Sequence, residues 1–147
     1  MSNVRFELAQ AEDTAAVRAL LKTANLPNED IHQHMRSFIL AKEGHDLIGC
    51  VGLEISGHVG LLRSLAVMTA LRGQGIGNSL CVEMIRYARK QGVEELYLLT
   101  TDQAVFFEKR GFQRQPRESA PEKIQMTTQY RALCPSSAIL MSRSLKT

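Results

Sequence analysis

Tryptophan is absent, aromatic residues make up 5% of the chain, and 147 residues contain only four prolines and three cysteines. Cys50, Cys81 and Cys134 are odd in number and none has the C-x-x-C spacing of zinc or redox sites. That excludes a complete disulfide framework and points to a reducing compartment. No apolar run approaches the roughly 20 residues that span a bilayer. Arg5, Glu7, Glu12 and Asp13 break up the first segment, so no signal-peptide core is expected. Eighteen Lys and Arg against fifteen Asp and Glu leave a net charge of +3, too small an excess to argue for a nucleic-acid partner. The expectation is a cytoplasmic protein with neither membrane nor nucleic-acid partner.

The chain is 44% hydrophobic and 22% charged. A chain of this length can bury roughly two-thirds of its unfolded surface without disulfides or a structural metal. No composition break marks a linker, so residues 1–147 are expected to form a single domain.

Val4 to Ala9 alternates like a strand. Glu12, Asp13 and Thr14 then offer capping oxygens to a helix over 13–24, with Val17, Leu20, Leu21 and Ala24 at helical spacing and Asn25 and Pro27 beyond. Asn28 to Met35 reads as a short second helix. Phe38 to Lys42 and Leu47 to Glu54, joined by Glu43-Gly44-His45-Asp46, read as a hairpin. Val59 to Val67 is apolar except at Gly60, Arg63 and Ser64, as expected of a central strand with both faces covered.

A glycine-rich turn, Leu71-Arg72-Gly73-Gln74-Gly75-Ile76-Gly77, follows, and Ile76, Leu80, Cys81, Met84, Ile85 and Ala88 then form an apolar helical stripe. Glu95 to Thr100 is a buried strand, Asp102 to Lys109 a short helix, and Phe112-Gln113 the start of another strand. Ser119-Ala120-Pro121-Glu122 has the pattern of a capping box opening a helix toward Thr128, and Ala138 to Ser142 is a last strand. Alternation of helix and strand predicts an α/β fold.

Glycines at 73, 75 and 77 expose successive backbone N–H groups at the positive end of a helix dipole, a combination that binds phosphate. Walker A requires Gly-Lys-Ser/Thr, which is absent, and the dinucleotide fingerprint fails because its last glycine position is Asn78.

Arg72-x-x-Gly75-x-Gly77 after Leu65-Ala66-Val67 resembles the acyl-CoA pyrophosphate loop of the GNAT (GCN5-related N-acetyltransferase) superfamily. The order of elements over residues 60–113, ending in Lys109-Arg110-Gly111-Phe112, is similar to that family's. Leu62-Arg63-Ser64-Leu65-Ala66-Val67, Leu98-Leu99-Thr100-Thr101, Phe106-Phe107 and Leu133-Cys134-Pro135-Ser136-Ser137-Ala138 resemble the branch associated with arsenic-resistance gene clusters, and more distantly the acetyltransferase domain of N-acetylglutamate synthase.

The resemblance implies a mixed, mostly antiparallel sheet flanked by helices, with acyl-CoA bound at a splayed strand and the glycine turn. It implies direct transfer of acetyl from acetyl-CoA, with no metal, to the amine of a small anionic amino-acid-like molecule. Alternatives are a protein or peptide N-acetyltransferase and a non-catalytic CoA-binding sensor. Family members often dimerise through the C-terminal region. The amides of Arg72, Gly73, Gln74, Gly75, Ile76 and Gly77 would hold the pyrophosphate, and the backbone of Leu65 and Val67 the pantetheine arm. The Val67 N–H would hold the developing oxyanion, and Phe106 would line the CoA channel.

Glu54 is the candidate base for the attacking amine, or else a solvated strand-end carboxylate. Arg63, with Ser64 beside it, is either the seat of a substrate anion or the partner of a carboxylate such as Glu54. Cys134 and Ser137 are candidate substrate ligands, against the alternative of an inert turn cysteine. Phe107 stands where many family members have a tyrosine acid, so departing thiolate would be protonated by water. His32, His34, His45 and His58 have no metal-ligand spacing.

Overall fold

A computed structural model describes residues 3–146; Met1, Ser2 and Thr147, at the ends of the expected 1–147 span, lie outside the described residues. The seven strands are β1 (Val4–Leu8), β2 (Phe38–Glu43), β3 (Asp46–Ser56), β4 (Val59–Val67), β5 (Glu95–Thr100), β6 (Gln113–Gln115) and β7 (Ile139–Ser144). They form one mixed, mostly antiparallel sheet in the order β1-β2-β3-β4-β5-β7-β6, with β4 central as expected. Its helices are α1 (Thr14–Thr23), α2 (Ile76–Lys90), α3 (Ala104–Glu108) and α4 (Glu122–Gln125).

Internal contacts group into two compact units, residues 3–54 with Arg63–Tyr87, and Ile55–Leu62 with residues 88–146. In the first unit, β1 pairs antiparallel with β2, and β2 with β3 across a bulge at Ala41/Lys42. The core there gathers Val17, Leu20 and Leu21 of α1 with Ile31, Phe38, Leu40, Cys50 and Ala66. Asn25, in the left-handed region at φ 57°, ends α1, and the Leu26 N–H donates to the Leu21 carbonyl. Gly49 lets α2 lie close on β3, since a Cβ there would meet Leu80 Cδ1 at 2.9 Å and Ile76 Cγ2 at 3.3 Å.

In the second unit, β4 runs parallel to β5, pairing Val59 with Glu95, Gly60 with Leu96 and Leu61 with Tyr97. The last strand enters between two earlier ones, antiparallel to both: Leu98 faces Met141 on one side, and Arg114 faces Met141 on the other. Leu61, Ala120, Ile124 and Leu140 form the core of this unit.

Two expectations are corrected. Residues 28–35 do not make a second α-helix but hold a 3-10 turn at Ile31–Gln33, followed by another at Met35–Ser37. Ser119 is no helix cap: its hydroxyl donates to the Pro116 carbonyl at 2.6 Å, closing a 3-10 turn, and α4 starts after Pro121. Pro121 keeps the preceding Ala120 out of the helical region, at ψ 137°, so no helix can start before it. A π-helical turn at Gln129–Leu133 had no sequence signal.

Candidate functional site

All of the glycine turn lies in the first unit. A 3-10 turn, Thr69–Leu71, leads from β4 to Arg72, and Gly73 and Gly75 take φ of 84° and 86°. Nothing lies within 4 Å of where a Cβ would stand at either, so conformation rather than crowding requires glycine at both. Residues 72–75 are exposed and α2 starts at Ile76. The Ser79 N–H donates to the Gly75 carbonyl, so the amides of Gly75, Ile76 and Gly77 precede the first helical bond and face the positive dipole end. Arg72 is exposed and its Nε–H donates to the Val67 carbonyl at 3.4 Å, tying the turn to the end of β4.

Three residues upstream of Val67, Ser64 adopts φ 59°, a left-handed conformation unusual outside glycine and costing about 1–3 kcal/mol. Two bonds hold it: its carbonyl accepts from Cys50 Sγ at 3.3 Å and its hydroxyl from Arg63 Nε at 3.0 Å. Burial pushes the Cys50 thiol up to about 12, so it stays protonated and keeps donating.

Arg63 does not meet an open cleft. Its side chain has no exposed surface, and the guanidinium binds Asp30 at two points, Nη1 to Oδ2 at 2.7 Å and Nη2 to Oδ1 at 2.6 Å. Nη1 also donates to Glu54 Oε2 at 2.8 Å. This corrects the expectation that Arg63 seats a substrate anion: a guanidinium already shared by two carboxylates has its charge compensated. Glu54 is not a solvated strand-end group either, because its side chain is 13% exposed and pinned by Arg63. Burial alone would raise the Asp30 carboxyl, but hydrogen bonds and charge from Arg63, with a further contribution from His34, hold it below the ordinary range. Burial likewise opposes the Arg63 charge, and Asp30 and then Glu54 outweigh it and keep Arg63 above its usual value.

Asp30 carries no sequence signal of its own, and His34, expected only to lack metal-ligand spacing, stands four residues after it. His34 Nε2 lies 3.6 Å from Asp30 Oδ2 and 3.7 Å from Glu54 Oε1. Ligand atoms of Asp30, His34 and Glu54 fall within 4.8 Å of one another. A metal ion there would compete with the Arg63 guanidinium, which already bonds both carboxylates.

The other candidates belong to the second unit. Phe106 carries Arg110 Cζ 3.6 Å from its ring centroid, and Phe107 is buried with its ring edge-on to Phe106 and Phe112. Cys134 Sγ donates to Gln129 Oε1 at 3.2 Å, and Ser137 is exposed. Tyr130 donates its hydroxyl to the Arg117 carbonyl, and Arg117 stacks over its ring. Among the described residues no helix is long and apolar enough to cross a membrane.

Known proteins match this chain in sequence and in fold. An uncharacterized N-acetyltransferase of Chlorobaculum tepidum is 32% identical over 97 residues, 65% of this chain and 62% of that protein. An amino-acid acetyltransferase of Neisseria meningitidis is 29% identical over 96 residues, 64% of this chain and 22% of that one. The chain thus spans less than two-thirds of the length of these relatives. N-acetylglutamate synthase of Neisseria gonorrhoeae, solved with coenzyme A and N-acetyl-glutamate, superposes with TM-score 0.86 at 23% identity, over all of this chain and 36% of that one. A Mycobacterium tuberculosis protein solved with CoA superposes at TM-score 0.79 and 18% identity, covering 97% of this chain and 99% of its own. Residues 6–112 match the family described as acetyltransferase (GNAT), and with the strand, glycine turn and helix all inside that match, the chain belongs to the GNAT acetyltransferase family.

Proposed function

We propose that this protein transfers acetyl from acetyl-CoA to the amine of a small amino-acid-like acceptor. The observation that carries the reading is the exposed turn in which Gly73 and Gly75 adopt positive φ directly before the 15-residue helix α2. Amides of residues 73–77 lie there at the positive end of the helix dipole, the Arg72 N–H being taken by the Thr69 carbonyl, and Arg72 adds a cationic side chain, which together suit a pyrophosphate. The backbone of Leu65 and Val67 pairs with the pantetheine arm as an added strand would. The Val67 N–H donates to the thioester carbonyl and stabilises the oxyanion as the amine attacks. The left-handed Ser64 sets the direction of this strand end.

An amino-acid acceptor is favoured by the likeness to an amino-acid acetyltransferase and to a synthase solved with N-acetyl-glutamate, which makes glutamate the first anionic acceptor to try. Phosphinic and arsenical amino acids come next, on the resemblance to the arsenic-associated branch. Arg63 has no part in recognising them. Cys134 and Ser137 are proposed contacts of the acceptor. The site works in the cytoplasm, where acetyl-CoA is available, and a homodimer is the proposed assembly.

The test is release of free CoA thiol from acetyl-CoA against glutamate, other amino acids, phosphinothricin, arsinothricin and a histone-like peptide, with CoA binding followed by calorimetry. Turnover with an amino acid is expected. Turnover of the peptide alone makes the protein a peptide acetyltransferase, and tight CoA binding without turnover makes it a sensor. Absence of CoA binding overturns the assignment of the glycine turn.

A further inference from the structure

One titratable group beside the Arg63 cluster has no part in the steps above. His34 lies between the 3-10 turns Ile31–Gln33 and Met35–Ser37, with its side chain 23% exposed and Nε2 turned toward the carboxylates of Asp30 and Glu54. Asp30 and Glu54 bring two negative charges and Arg63 one positive charge. With a neutral imidazole the cluster therefore holds one uncompensated negative charge. Water screens it poorly, since the side chains of Asp30, Glu54 and Arg63 are 7%, 13% and 0% exposed. A buried charge without a counter-charge is costly, and His34 is the group positioned to cancel it.

A proton arriving at this cluster has three destinations, and on Asp30 it would disrupt the two-point bond from Arg63. Placed on Glu54, it takes a counter-charge from a guanidinium that has no exposed surface and disturbs the 2.8 Å bond from Nη1. Placed on His34, it leaves every Arg63 bond intact and brings the cluster to neutrality. Nε2 is the ring nitrogen turned toward the carboxylates, so the tautomer with its proton there is the one that suits them. Nδ1 then carries the lone pair.

We propose that His34, through Nδ1, is the proton acceptor for the amine this protein acetylates, with Asp30 and Glu54 as positioning residues that hold the ring and stabilise the imidazolium. The proposal rests on the acetyl-transfer reading. The acceptor arrives as an ammonium group and gives one proton to Nδ1. Its nitrogen lone pair forms the C–N bond to the acetyl carbonyl carbon. The C–S bond then breaks and CoA leaves as the thiolate. The second nitrogen proton, released as the tetrahedral intermediate collapses, passes to that sulfur, and His34 returns its proton to solvent. Glu54, expected from sequence to be the base itself, acts through the histidine.

The experiment measures acetyl transfer to glutamate and the wider amino-acid panel on both sides of neutral pH, for the wild type, His34→Gln, His34→Ala and Glu54→Gln. Acetyl-CoA affinity is followed in parallel by calorimetry. Both His34 variants are expected to bind acetyl-CoA as the wild type does and to lose about 10²–10⁴-fold in kcat/KM, a range usual for a lost general base. The acid limb of the wild-type pH profile should vanish with the histidine, and free imidazole should restore part of the His34→Ala rate. Glu54→Gln, which removes one of the carboxylates that hold the ring, should lower kcat/KM by less than either His34 variant. A His34→Gln variant with wild-type kcat/KM and an unchanged acid limb overturns the proposal while leaving acetyl transfer standing. Variants that lose acetyl-CoA affinity and gain nothing from imidazole also overturn it, making His34 a structural residue. A wild type that binds no acetyl-CoA or acetylates no amine brings down the transfer reading, and this inference with it.

Discussion

Arg63 and Asp30 are joined by two parallel bonds of 2.7 and 2.6 Å across 33 residues of sequence, both side chains withdrawn from water. The pair fastens the segment after α1 to the central strand, four residues before Val67. Its geometry is the fork-to-carboxylate match that favours Arg over Lys.

Removing one member leaves the other charged and buried. Asp30→Ala is expected to destabilise the fold by about 3–5 kcal/mol, and Arg63→Lys to recover little of the Arg63→Ala loss because ammonium cannot span both oxygens. Urea denaturation midpoints at neutral pH measure both.

The same pair gives the protein an acid-sensitive stability. The Asp30 carboxyl is held below its unfolded value, so the unfolded chain binds the proton more readily. The stabilisation is fully present above the ordinary carboxylate range near 3.9 and is lost as pH falls through the lower folded value. Unfolding free energy should fall on acidification below about pH 4, and Asp30→Asn should show a shallower fall over that interval.

Gly75→Ala separates conformation from packing in the turn. The added methyl meets nothing within 4 Å, so the cost is that of φ 86° alone, about 1–2 kcal/mol. If the turn relaxes to avoid that strain, its amides lose alignment and calorimetry should record weaker acetyl-CoA binding. Gly52→Ala is the opposite case: its Cβ would stand 2.5 Å from Phe38 Cε1 and Cζ, with Phe38 fully buried. A loss of about 1–3 kcal/mol is expected, and Phe38→Leu in the same chain should recover part of it.

The cysteines should react unequally. Cys50 is buried, with its thiol pushed up to about 12, and Cys81 is 1% exposed, whereas Cys134 is partly open. Brief iodoacetamide treatment of the native protein, read by mass spectrometry, should label Cys134 and leave Cys50 and Cys81 untouched until unfolding.

The sequence by itself determined the elements whose physics is local. The stripe from Ile76 to Ala88, the apolar runs of β2 and β3 on either side of the Glu43-Gly44-His45-Asp46 turn, and the glycines at 73 and 75 each carry a local signal, so α2, the hairpin and the turn could be read from neighbours a few residues apart. Only the tertiary structure decided how Arg63 is used. Its partner Asp30 stands 33 residues earlier in an irregular segment with no periodic pattern. The left-handed Ser64 breaks the period-two rule by which strand side chains are assigned to faces. The insertion of β7 between β5 and β6, and the placing of His34 beside two carboxylates from different segments, are likewise products of long-range pairing, because no spacing along the chain encodes which distant charge will close a buried ion pair.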